Sequence, residues 1–330
     1  MNIDKLIKKN VFKNVIYQII LIFSSFFQYP IFVNHMNKTE LGVWFTIVSI
    51  TSWFMILDLG IANGLRNKLV YLISKKNNSL IKSYLASAYF YFGLGLLFVW
   101  GLLVFLISMT DMNLLLGISY EVGNLNTSLI IIVTGVIFNL FFSISFSLSN
   151  ALQNSSLINM KNMITTFLFT FSVFLYCLMY GEIGLLLLSS LFFIFHFSVN
   201  VIITLIIFTE NKDYHPQFKY ISYKRFKSNF NVGFGFFIIN IASVALFSTD
   251  TLLITKLLGA NHVVDYSIAL KLYSVFLMIL WLYTGPLWSA YSLKNIEGDF
   301  NWIKHTLKKT IILSFFLIFL ILVTTILYKY

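Results

Sequence analysis

Residues 185–208 read LLLLSSLFFIFHFSVNVIITLIIF, 24 consecutive positions without an Asp, Glu, Lys or Arg. A helix of that length rises about 36 Å at 1.5 Å per residue, enough to cross a hydrocarbon core of about 30 Å. The polar residues in the run do not alternate with apolar ones, as a barrel strand of about ten residues would require. The stretch therefore predicts a transmembrane helix. Working outward, similar runs recur with polar or basic interruptions at 15–33, 41–65, 84–109, 127–149, 162–180, 230–247, 263–292 and 311–328. Nine spans follow, the fifth and sixth parted only by Gly181-Glu182-Ile183-Gly184. The expected fold class is an all-α polytopic membrane protein.

Composition gives the same answer. Of 330 residues 58% are hydrophobic, 18% aromatic and 11% charged, where a soluble domain carries roughly 25% charge. So few charges cannot clothe the surface unless lipid covers most of it. The single Cys177 falls inside an apolar run, which excludes a disulfide framework and a cysteine metal site and reads as packing. The net charge of +11 is accounted for by topology and not by nucleic acid, because Lys and Arg collect in cytoplasmic loops. Nineteen of the 23 basic residues fall on one side, around Lys13, Arg66 to Lys82, Lys161, Lys212 to Lys227 and Lys294 to Lys309. The opposite loops carry Asp111, Glu121 and Glu182. The N-terminus is expected to be cytoplasmic. The first span, which carries Gln18 and Gln28 with no small-residue cleavage site after it, reads as a retained helix.

The most hydrophilic stretch lies between the sixth and seventh spans. It divides the chain into a six-helix lobe at 1–210, a cytoplasmic linker at 211–229 and a partial lobe of three helices at 230–330. The first two spans resemble the seventh and eighth in hydropathy at an offset of 222, with Trp44 opposite Tyr266. On that reading the second lobe is incomplete, lacking roughly a hundred residues by analogy with the first.

Polar side chains in spanning helices usually face the bundle interior or a cavity. Helical spacing aligns Asn139, Ser143, Ser147 and Asn150, then Ser189, His196, Asn200 and Thr204. Shorter stripes are Gln18, Ser25 and Gln28, then Asn240, Ser243 and Asp250, then Ser267, Lys271 and Ser274. Hydrogen bonding between helices explains any one of these residues, whereas five coincident stripes favour a hydrated cavity. Asp58 and Arg66 flank Gly60-x-x-x-Gly64, a spacing that lets another helix approach closely. Asp58 reads equally as a cap or a functional carboxylate, and Asp250 as exposed. Lys271 is either a cavity cation or a residue snorkelling outward. Gly93-x-Gly95 and Gly233-x-Gly235 sit in apolar helices, without the strand and third glycine of a nucleotide loop. The five histidines have no metal-ligand spacing, so no catalytic residue, metal or cofactor is expected.

Two segments carry a resemblance. The first is Leu41-Gly42-Val43-Trp44 with 57–67, LDLGIANGLRN; the second is 248–254, STDTLLI, with Leu258-Gly259, 263–269, VVDYSIA, and 285–292, GPLWSAYS. They resemble the polysaccharide or O-antigen flippases (the Wzx type) of the multidrug, oligosaccharidyl-lipid and polysaccharide exporter superfamily. The resemblance implies a MATE-like bundle of two lobes in the bacterial inner membrane. It implies movement of an undecaprenyl-pyrophosphate-linked oligosaccharide across that membrane by alternating access. The implied partners are the lipid-linked oligosaccharide, membrane lipid, and polysaccharide polymerase and assembly proteins, with no nucleic acid. Arg66 and Lys271 come closest to the family's cavity cations, with Asp58, Asn139, His196, Asn200, Asn240 and Asp250 as further cavity candidates. Trp44, Trp53, Tyr273, Tyr283 and Trp288 are aromatics that could stack on sugar. The family usually has about twelve spans, and nine is a departure. One alternative is a cation-coupled multidrug antiporter of the same architecture, with Asp58 as coupling carboxylate. A second is a non-functional or partner-dependent truncated transporter.

Overall fold

A computed structural model describes residues 3–118 and 123–328; Glu121 and Lys329 lie outside the described residues. Among the described residues the regular structure is helical: α1 Ile3–His35, α2 Lys38–Phe54, α3 Ile61–Ser74, α4 Asn78–Met109, α5 Met112–Leu116 and α6 Leu125–Ala151. The chain continues with α7 Ser156–Tyr180, α8 Leu185–Glu210, α9 Tyr223–Phe247, α10 Thr249–Leu258, α11 Ala260–Glu297 and α12 Phe300–Tyr328. Nine helical stretches among them are long and apolar enough to cross a membrane. Successive spans reverse direction, so Lys75, Lys212 and Lys219 in the connecting segments, the last turn of α11 with Lys294 and the start of α7 with Lys161 share one end of the bundle, the basic end. The opposite end carries the turns after α1, α4, α7 and α10.

Two differences from the hydropathy pattern shape the contact between the halves. The second span is not one helix over 41–65: a 3₁₀ turn at Met55–Asp58 is followed by Leu59 and Gly60, both left-handed at φ 49° and 70°. Two consecutive left-handed residues cannot continue a right-handed helix, so α3 starts afresh at Ile61 and runs on to Ser74. The seventh span begins at Tyr223, not at 230, because Lys224, Arg225 and Lys227 occupy its first two turns beyond the apolar stretch. The segment joining α8 to α9 is therefore 211–222, with short 3₁₀ turns at Lys212–Tyr214 and Phe218–Tyr220.

Helix α6 is the hub of the first half, packing against α8, α3 and α4, while α1 packs on α7. Trp44, 3% exposed, fills the space between α1, α7 and α8, with its ring 6.4, 6.2 and 5.8 Å from those of Phe32, Phe169 and Phe192. It is a core aromatic and not available to a sugar. Cys177 is likewise buried.

The internal repeat extends beyond hydropathy. Adding 222 to Lys38 and Asn78, the first residues of α2 and α4, gives Ala260 and Phe300, the first residues of α11 and α12. Both copies begin at the basic end, so the repeat is parallel, related by an axis along the membrane normal. Positions paired by the offset touch each other at both ends. At the far end Thr39 Oγ1 donates to Asn261 Oδ1 at 3.0 Å. At the basic end the Arg66 guanidinium lies 5.1 Å from the Trp288 ring centroid. A residue meeting its own counterpart marks a pseudo-twofold axis; that axis runs between α2–α3 and α11.

Candidate functional site

The contact between the two halves is made close by glycine. A Cβ on Gly42 would overlap the Ala260 carbonyl, and one on Gly60 would overlap that of Gly233. Gly64 approaches the backbone of Gly233 and Asn229, so Gly60-x-x-x-Gly64 serves the helix packing its spacing predicts. A Cβ on Gly235 would meet nothing within 4 Å, so only the first glycine of Gly233-x-Gly235 is needed for close packing. At the far end the seam is closed by Lys38 to Asp265 at 3.4 Å and by the hydroxyls of Thr46 and Thr255 at 2.7 Å.

At the basic end the seam is built around the start of α3. Asp58 Oδ1 accepts from the Ala62 backbone N–H at 3.2 Å, which caps α3 where its first donors have no helical partner. Asn229 Nδ2 donates to the Ile61 carbonyl at 3.2 Å and Ser147 Oγ to that of Ala62 at 2.8 Å. With its first turn pinned from α9 and α6, α3 presents Arg66, which is 8% exposed, towards α11. Trp288 lies under the guanidinium, donates through Nε1 to Asn67 Oδ1 at 3.4 Å, and has Phe236 at 5.5 Å. An arginine over an indole is a pairing that anions and sugar rings can also engage, through charge and through a flat apolar face.

Lys271 is the twelfth residue of α11 and half-buried, about 16 Å along the helix from the far end. Its Nζ lies 5.8 Å from the ring of Phe26 on α1. Ser274 Oγ bonds the Lys271 carbonyl of its own helix at 2.7 Å. Asp250 is exposed and accepts from the Tyr266 hydroxyl at 2.8 Å; Asn240 is half-buried on α9. Trp53, Tyr273 and Trp288 are partly exposed, unlike Trp44.

The remaining candidates meet inside the first half. Asn139 Oδ1 on α6 accepts from Asn200 Nδ2 on α8 at 3.2 Å and from Lys161 Nζ on α7 at 3.4 Å. One oxygen thus ties three helices. His196 turns Nδ1 to the Phe192 carbonyl at 2.8 Å and stacks on that ring at 3.8 Å. Ser145 and Thr204 pair at 2.9 Å, while Gln28 donates to Thr170 at 2.6 Å. The stripes of the first, fourth and sixth spans therefore hydrogen-bond within the first half, whereas Arg66, Asp58 and Lys271 lie on elements that meet across the seam.

Lys161 is the residue that sequence reasoning misplaced as a loop charge. It is 8% exposed, with its ammonium 4.8 Å from the Phe146 ring. Thr165, one helical turn on, is buried with it, so that face of α7 points inward, a rotation that the sequence does not announce. A cavity of about 600 Å³ opens elsewhere, among α4, α6 and residues 216–221, and its lining is apolar apart from Gln217, Tyr89 and Trp100.

This arrangement is that of a polytopic helical membrane protein on the fold of MATE transporters. Four solved chains match it. One is a crystal structure of MATE in complex with MaD3S, with a TM-score of 0.70, 11% identity, and coverage of 99% of this chain and 73% of that one. Another is MATE in the straight conformation, with a TM-score of 0.68, 12% identity and coverage of 99% and 72%. A third is the outward-facing conformation of a multidrug resistance MATE family transporter of the MOP superfamily, with a TM-score of 0.59 and 12% identity, covering 99% and 74%. No curated protein matches the sequence. The polysaccharide biosynthesis protein family model matches residues 7–290, and the chain belongs to that family.

Proposed function

We propose that the chain is a flippase for a lipid-linked oligosaccharide, carrying the anionic, sugar-bearing head group along the seam between two lobes while the polyprenyl tail stays in lipid. The lobes are 1–210 and 230–330 as the sequence divides them, joined by the 211–222 segment and the first turns of α9. On this reading the membrane is the bacterial inner membrane and the basic end is cytoplasmic, an orientation that the excess of Lys and Arg at that end supports. The observation that carries the reading is the placement of Arg66 and Trp288 on the pseudo-twofold axis of a chain from the polysaccharide biosynthesis family. A pyrophosphate head group needs a cation in a dry setting and a sugar needs a flat apolar partner, and the pair supplies both. Lys271, deeper on α11, is a second cation on the way across. Asp58 and Asp250 bracket the path, while Asn139, His196 and Asn200 hold the helices that flank it.

The MATE likeness supports one other reading, a cation-coupled multidrug antiporter in which Asp58 carries the coupling ion. Reconstitution separates the two. Proteoliposomes containing the full chain are loaded with a fluorescent undecaprenyl-pyrophosphate oligosaccharide and scored for outer-leaflet exposure by an impermeant quencher. The same vesicles are scored for uptake of an organic cation under an imposed sodium or proton gradient. Flipping without cation uptake supports the proposal; gradient-driven uptake without flipping replaces it with the antiporter.

A further inference from the structure

The cavity among α4, α6 and the 216–221 segment is not part of the seam: its lining comes from none of α1, α2, α3 or α11. On α4 it runs from Ala86 to Trp100, about 21 Å at 1.5 Å per residue. That is one leaflet of hydrocarbon, about 15 Å, plus part of the head-group layer. Its inner end is closed by Trp100, whose Nε1 donates to Thr134 Oγ1 at 3.0 Å. Its outer end is roofed by the segment between the halves, held down by Ser83 Oγ to the Tyr220 carbonyl and by the Ser222 N–H to Ser87 Oγ, both at 2.8 Å. Leu94 and Leu97 line it while remaining 52% and 62% exposed, so it opens sideways at membrane depth. Hydrocarbon is the medium that meets such an opening.

The rim at the roofed end is positive. Lys82 precedes the pinned Ser83, Lys219 lies over the Tyr220 ring at 5.1 Å, and Arg225 lies 5.8 Å from the Tyr84 ring. Between 211 and 228 there are five basic residues against the single carboxylate of Asp213. Basic residues held at a membrane surface attract anionic head groups.

We propose that this cavity is a lipid site: it holds one acyl chain of an anionic phospholipid from the leaflet at the basic end, with the phosphate against Lys219 and Lys82. Because the roof is the segment that joins the two halves, the bound lipid fixes that segment to α4. The site stands independently of whether the chain flips an oligosaccharide.

The test uses the full chain purified in detergent and follows its thermal unfolding midpoint. Phosphatidylglycerol, phosphatidylcholine with identical acyl chains, and glycerol phosphate without chains are titrated separately. Phosphatidylglycerol should raise the midpoint by several degrees more than phosphatidylcholine, and glycerol phosphate should leave it unchanged. Leu97→Trp, which fills the cavity from an exposed position, should abolish that shift, and Leu94→Trp serves the same purpose should the first variant fail to fold. Lys219→Gln combined with Lys82→Gln should reduce the phosphatidylglycerol response to that of phosphatidylcholine. Equal responses to the two lipids in the wild type, or a full response in both tryptophan variants, would overturn the proposal. So would a shift by undecaprenyl phosphate alone that Leu97→Trp removes, which assigns the groove to a polyprenyl chain. Conversion of a dimer to a monomer by Leu97→Trp with the lipid response intact would assign it to a second copy.

Discussion

Arg66 and Trp288 stand 222 residues apart and touch, and their chemistry is separable by substitution. Arg66→Ala removes both the charge and the stacking, and should lower flipping at least tenfold at unchanged membrane abundance. Arg66→Lys keeps a point charge without the planar face and should retain an intermediate rate; equal rates for Lys and Ala would mean that charge at this position is irrelevant. For Lys271 the expectation is different, since an ammonium at mid-span costs about 2.5 to 3.5 kcal/mol on insertion scales. Lys271→Gln should depress transport without lowering insertion, and Lys271→Arg should restore much of it; transport by Lys271→Gln at the wild-type rate removes the residue from the path. Lys161 is the structural counterexample. Held by Asn139 and the Phe146 ring inside the first half, it should be replaceable by Met with stability unchanged or raised, because a buried charge gains little over a well-packed apolar chain. Lys161→Ala should cost about 2 kcal/mol through the cavity it leaves. Thermal unfolding in detergent distinguishes the two, and a Met variant less stable than the Ala variant would show that the ammonium itself is needed. The sequence singled out Arg66 and Lys271 because charges in or beside apolar helices are conspicuous. It hid Lys161 because a basic residue one turn from a loop looks the same whether it points to water or to the bundle.

At the scale of elements, the seam is a set of backbone approaches that glycine permits. Gly60 combines a left-handed φ of 70° with the nearby Gly233 carbonyl, so Gly60→Val meets both backbone strain and overlap and should prevent α3 and α9 from packing. The far end offers a reversible test. Cysteines at Thr39 and Asn261, whose side chains are 3.0 Å apart, should cross-link under mild oxidation, and the native Cys177 is buried and will not compete. If the far end must part for the head group to leave, the cross-linked protein should stop flipping and recover on reduction. Full activity of the cross-linked form would confine the opening to another part of the seam. The glycine spacing announced a close approach but not its partner, since Gly233 lies 173 positions beyond Gly60 in the chain. The break between α2 and α3 was only half legible: no proline marks it and Leu57 and Leu59 are apolar, and the one signal was Asp58, which reads equally as a cap or a functional carboxylate.

For the molecule as a whole, orientation is the claim that rests on most residues, with 19 of 23 basic side chains assigned to one side. In intact cells, cysteines at Asn77 and Asn211 should be shielded from an impermeant thiol reagent and those at Asn113 and Asn261 should react. The reverse pattern inverts the topology and places Arg66 at the exit of the path in place of its entrance. The 222-residue repeat adds a separate demand, since a parallel repeat requires α1 and α9 to start on the same side, whichever side that is.

Span number, the excess of charge at one end, the offset of the repeat and the glycine spacing were all determined by the sequence, because each is a local or periodic property that bilayer thickness and helical rise convert directly into structure. Which polar stripe faces which was decided only by the tertiary structure. Asn139, Asn200 and Lys161 come from three helices and share one oxygen, and Arg66 finds Trp288 across the seam. Hydrophobicity sets the depth of a helix in a membrane but is nearly indifferent to its rotation and its neighbours, since lipid and Leu are equally apolar. Rotation and partner are chosen by close packing and a few hydrogen bonds, and those exist only once distant segments have met.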